Sequence, residues 1–98
     1  MSKPFTILKL DKDYEFRLSN KAGYFYEELT GKSMMDFGNK FGLVEMNALA
    51  YAGLKCINKD ITLFEVIELI DEHIDVETLS KILEKAIEQS TFFKLAKN

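Results

Sequence analysis

The chain has one cysteine, one histidine and a single arginine, and no apolar run long enough to span a bilayer. A lone Cys56 excludes an intramolecular disulfide, fits a reducing compartment and supplies no metal framework. It reads as a small buried apolar residue. With Arg17 as the only arginine and the lysines scattered, there is no basic stripe to grip phosphates, so nucleic acid is not an expected ligand. One turn before His73, where a second metal ligand would share its face, stand Leu69 and Ile70. The imidazole therefore reads as a structural group near a helix C-terminus. No charged-then-apolar leader opens the sequence, which predicts a cytoplasmic protein with no membrane partner.

What is present is an ordinary globular composition. The 98 residues are 47% hydrophobic and 30% charged, with a net charge of -3. That length predicts a single domain over residues 1–98. Its centre is the stretch from Leu43 to Ile57, apolar around nearly its whole circumference when drawn as a helix. Leu43, Met46, Ala50, Leu54 and Ile57 form one stripe, and Ala48, Ala52 and Cys56 line another flank. Such a helix has to be covered by other elements. Gly53 within it lowers helix stability by about 1 kcal/mol relative to Ala, which another backbone passing close would explain.

Before this helix, Phe5–Leu10 and Tyr14–Leu18 alternate like strands, and Asp11-Lys12-Asp13 is a break of hairpin length. A two-stranded hairpin is marginal alone, so it must lie on a helix or pair with another copy. Ser19 or Asn20 can cap a helix over 21–29, which Gly31 would end. Met34, Met35, Phe37 and Phe41 suggest a short helical turn held down by apolar side chains. After the central helix, Thr62-Leu63-Phe64-Glu65 matches a capping box, followed by a stripe of Leu63, Val66, Ile67, Ile70 and Ile74. Asp75 can cap a last helix whose buried stripe is Val76, Leu79, Leu83, Ala86 and Ile87. On its outer face Glu77 and Lys81 are spaced for an ion pair. The expected fold is α+β, mainly α: an N-terminal β-hairpin (1–18) followed by a compact bundle of four to five helices (19–98).

No constellation for catalysis emerges, and neither an enzyme nor a cofactor is expected. Thr30-Gly31-Lys32-Ser33 matches the end of a phosphate-binding loop, but Tyr26 stands where that motif needs its first glycine. A helix C-cap and turn accounts for it better. Two features are candidate partner-binding surfaces. One is the acidic face from Glu65 to Glu72, with Phe64 and Glu68. The other is the aromatic end of the sequence, Phe92, Phe93 and Leu95, which can instead fold back on the core.

The order of these elements resembles the tail assembly chaperones of long-tailed bacteriophages and their prophage remnants. The resemblance rests on the hairpin Phe5–Leu18 leading into Ser19-Asn20-Lys21-Ala22, then Glu27–Ser33, Leu49–Lys55 and Ile61–Val66, and covers nearly the whole chain. It implies a non-enzymatic role in the host cytoplasm: binding the tape-measure protein, keeping its helices from aggregating and recruiting tail-tube subunits, with no place in the mature virion. It also implies a longer product made by ribosomal frameshifting, and Ala96-Lys97-Asn98 is compatible with a slippery codon run. Repeated copies along one client would favour homo-oligomers, with the hairpin edge (Phe5, Ile7, Tyr14, Phe16) as the candidate contact. The competing expectation is a small bacterial or phage adaptor that binds another protein through the same surfaces.

Overall fold

Alternation and turn length bring the first two segments together as an antiparallel pair, β1 (Thr6–Lys9) and β2 (Asp13–Phe16), in register Thr6↔Phe16 and Leu8↔Tyr14. In the computed structural model, which describes residues 6–34 and 42–89, this hairpin is followed by four helices: α1 (Asn20–Thr30), α2 (Leu43–Lys55), α3 (Leu63–His73) and α4 (Val76–Gln89). The fold is α+β and mainly α. The strands are shorter than the sequence alternation suggests, and Arg17 and Leu18 belong to the connection into α1.

Each helix starts or stops where its local chemistry dictates. The Ser19 hydroxyl accepts the Ala22 amide at 3.3 Å and opens α1. Gly31 ends it in the left-handed conformation (φ 72°), its amide bonded to the Glu27 carbonyl at 2.8 Å. The Thr62 hydroxyl accepts the Glu65 amide at 3.2 Å, and the Glu65 carboxylate accepts the Thr62 amide at 3.2 Å, the reciprocal capping box of α3. Asp75 caps α4 through the Thr78 amide at 2.7 Å. This bond holds the Asp75 carboxyl below its ordinary pKa. Glu77 and Lys81 pair at 3.4 Å on the outer face of α4.

The inner face of the hairpin, Leu8 and Phe16, packs with Leu18 and Tyr26 against the apolar flank of α2, and α3 and α4 close the other side through Val66, Leu79 and Leu83. Gly53 is where the halves meet. The Arg17 amide donates to the Gly53 carbonyl at 3.1 Å, and the Phe16 ring occupies the space that a side chain at 53 would need. Cys56 is half-buried rather than an inert core residue. Its thiol donates to the carbonyls of Arg17 (3.3 Å) and Gly53 (3.2 Å). The Arg17 amide serves the Gly53 carbonyl in the last turn of α2, where carbonyls lack the next helical amide. The helix stops at Lys55, two residues short of the expected Ile57, because the amides of Ile57 and Asn58 both turn back onto the Leu54 carbonyl.

Met34 is fully buried, its thioether end resting against Gly23. The rest of the expected helical turn (Met35, Phe37, Phe41) lies outside the described residues, as do Phe5, Phe92, Phe93 and Leu95.

Candidate partner-binding face

Three expectations of burial fail together, and on one side of the molecule. Leu43 and Val44, at the start of the helix that should be covered all round, are 60% and 71% exposed. Ile67, in the stripe of α3, and Val76, at the head of the α4 stripe, are also exposed. The physical reason is geometric. Leu43 and Val44 form the first turn of α2, and Leu29 and Thr30 at the end of α1 border an open depression beside them rather than packing over them.

These residues line a continuous trough. Its first part, a depression of about 360 Å³, is bordered by Leu29 and Thr30 from the end of α1, Leu43, Val44 and Asn47 from α2, and Leu63 and Ile67 from α3, with Ala48 on its floor. The second part, about 700 Å³, shares Leu43, Asn47 and Ile67 with the first and continues past Ile70 and Ile74 to Val76 and Leu79. Eight large apolar side chains are exposed among the described residues, and five of them (Leu29, Leu43, Val44, Ile67, Val76) line this trough. Scattered apolar residues are normal on a surface, whereas concentration on one face marks a binding site.

Polar contacts tie one wall together. At the α1–α2 end, Glu45 accepts the Gly42 amide at 2.9 Å and forms an ion pair with Lys32, so the start of α2 is pinned to the turn after α1. Those bonds, the Lys32 ammonium first, hold the Glu45 carboxyl below its ordinary pKa. The Asn47 amide donates to the Leu43 carbonyl at 2.8 Å, so this polar residue in the wall is partnered within its own helix. The opposite rim is acidic. Asp71, Glu72 and Asp75 border the second part of the trough together with His73, and no lysine or arginine among the described residues does.

The residues expected to bind a partner fall at different places. Phe64 is 74% exposed next to Leu63 of the trough wall, one turn before Ile67, and Glu68 is exposed beside Ile67. Of the described hairpin residues expected at a subunit contact (Ile7, Tyr14 and Phe16), only Ile7 is an exposed apolar side chain. Phe16 is a correction: its ring is completely buried against α2 and offers no surface to another copy. Tyr14 is half-buried, its hydroxyl donating to Asp11 at 2.9 Å, and burial followed by that carboxylate raises its pKa. Sequence reasoning missed Leu29, Leu43, Val44 and Ile67 as surface. The available signal was the adjacent pair Leu43-Val44 in a first turn, where no single packing face can take both.

Thr30-Gly31-Lys32-Ser33 is a helix C-cap and turn, with the Thr30 hydroxyl donating to the Tyr26 carbonyl at 2.8 Å. His73 lies 3.9 Å from Glu72, and the described residues contain no cluster of three metal-ligating side chains. No helix among them is long and apolar enough to cross a membrane. Set against models of protein families, curated proteins and solved structures, the chain has no match.

Proposed function

We propose that this protein is a non-enzymatic tail assembly chaperone of a long-tailed phage or prophage, which binds the tape-measure protein in the cytoplasm of the bacterial host and assists assembly of the tail tube. The observation that carries this reading is the trough across α1, α2, α3 and the start of α4. It is an open apolar surface, of the kind an amphipathic helix docks on, carried on a body with capped, well-packed elements. The order of elements along the chain supports the same reading through its resemblance to that family. A chaperone for an apolar helical client requires docking surface and no reactive groups. Self-association along a long client belongs to the proposal, with Ile7 on the outer face of the hairpin as its exposed apolar contact.

Co-expression with the very long reading frame next to its gene is the direct test. The expected result is a soluble client that co-purifies with this protein, and loss of both when Val44 and Ile67 are changed to Asp. A client that stays insoluble, or is equally soluble without this protein, refutes the proposal. Sedimentation as a strict monomer at high concentration would refute the oligomeric part alone.

A further inference from the structure

Among the described residues, the trough has an apolar floor and a rim that carries Asp71, Glu72 and Asp75, with the His73 imidazole beside them and no lysine or arginine. Asp71 and Glu72, in the last turn of α3, border its second part, and Glu68 lies one turn earlier on the same helix. All three are exposed. Asp75 already serves the Thr78 amide, and Glu72 lies 3.9 Å from His73, whereas Glu68 and Asp71 have no ion-pair partner among the described residues. The C-terminal carbonyls of α3 add negative partial charge at the same end. At the other end, Lys32 is committed to Glu45. An apolar face with an unbalanced acidic rim selects against acidic ligands and favours one whose own charges are positive.

We infer that the trough binds an amphipathic helix whose apolar stripe is flanked by lysine or arginine, with Leu43, Val44 and Ile67 as the apolar seat and Glu68, Asp71 and Glu72 as the charge filter. This rests on the reading of the trough as the client-binding face, and adds which client segments it accepts. A helix of about three turns matches the length of α3 along the trough and presents apolar residues at i, i+3, i+4 and i+7. A negatively flanked helix of the same apolar face meets like charge on the α3 side. That arrangement would let the protein choose among the many apolar helices of a bacterial cell.

The test uses the full chain and two synthetic helices with identical apolar stripes, one flanked by Lys and one by Glu, in a fluorescence anisotropy titration. The expected result is binding of the Lys-flanked peptide about tenfold tighter, equivalent to ~1.4 kcal/mol, because two or three rim pairs act together. The margin should shrink at about 0.5 M salt, where exposed charges are screened. Asp71→Lys with Glu72→Lys, both at exposed positions, should erase the preference, and Ile67→Asp should abolish binding of both peptides, with circular dichroism reporting whether each variant is folded. Equal affinity for the two peptides, or a preference unmoved by the charge reversal in a folded variant, overturns the inference. So does failure of both peptides together with self-association that Ile67→Asp removes, which would seat a second copy in the trough. Clear selection for the Lys-flanked peptide beside a tape-measure candidate that stays insoluble would refute the proposed function and leave the trough's specificity standing.

Discussion

Replacing Gly53 with Ala sets two effects of opposite sign against each other, and the structure decides between them. In an exposed helix the change would stabilise by about 1 kcal/mol. Here the added Cβ would lie 2.3 Å from Cδ2 and 2.4 Å from Cε2 of the Phe16 ring. Carbon atoms rest at about 3.5–4.0 Å, so the ring would have to retreat by more than ~1 Å. The ring is completely buried and also lies on the strand whose continuation bonds the Gly53 carbonyl. Overpacking of this kind costs about 1–3 kcal/mol, and a rigid ring places it at the upper end, so the net loss is ~2 kcal/mol. For a chain of this size that lowers Tm by about 8–16 °C. Urea and thermal unfolding followed by far-UV circular dichroism measure both numbers. The cause is isolated by repeating the change in a Phe16→Leu background, where the coupling should recover ~1–2 kcal/mol. Gly23→Ala is the milder comparison, because its Cβ would meet only the flexible end of Met34, the methyl at 3.0 Å and the sulfur at 3.6 Å, and a thioether adjusts at less cost than a ring. A Gly53→Ala protein as stable as the parent would refute the close approach of hairpin and helix.

Gly31→Ala should lower stability by about 1 kcal/mol without any clash, since nothing lies within 4 Å of the new Cβ and the cost is the left-handed backbone alone; Gly31→Asn should cost less, by denaturation of all three proteins. Thr62→Ala removes the hydroxyl half of the α3 capping box and should cost ~1 kcal/mol, with Thr62→Ser near the parent. The Glu45 and Asp75 carboxyls are held below their ordinary values, so their stabilisation is complete above pH ~4.5 and is lost as pH falls through their lower folded-state values. Glu45→Gln should therefore be less stable than the parent at neutral pH and show a shallower decline in acid, by urea midpoints at several pH values.

Local chemistry was legible wherever a single residue type does one job. Ser19, Gly31, Thr62 with Glu65, and Asp75 all sit where capping rules put them, because caps depend on bonds within three or four residues. Gly53 was legible too, as a glycine that helix energetics alone cannot justify. The trough was not. Periodicity says which side chains share a face, and Leu43, Ile67 and Val76 do share faces with buried neighbours. Whether a face is covered depends on where the partner elements lie in space, which periodicity does not carry. Phe16 failed in the other direction. A strand pattern cannot say which of its two faces a helix will take.

The bonds that dock the hairpin join residues far apart in sequence: Cys56 to Arg17 across 39 positions, Asn58 to Glu15 across 43, and Thr6 to Gln89 across 83. The helices, by contrast, pack chiefly on sequence neighbours, α1 on α2 and α2 on α3. Closing long loops carries an entropic penalty before any contact repays it, so the neighbouring helices assemble early and the hairpin docks last. The same ordering runs backwards under stress: the hairpin is the first unit to detach, exposing the groove over Gly53 while the helices persist. Amide hydrogen exchange should show this as weaker protection at Arg17 than in the middle of α2.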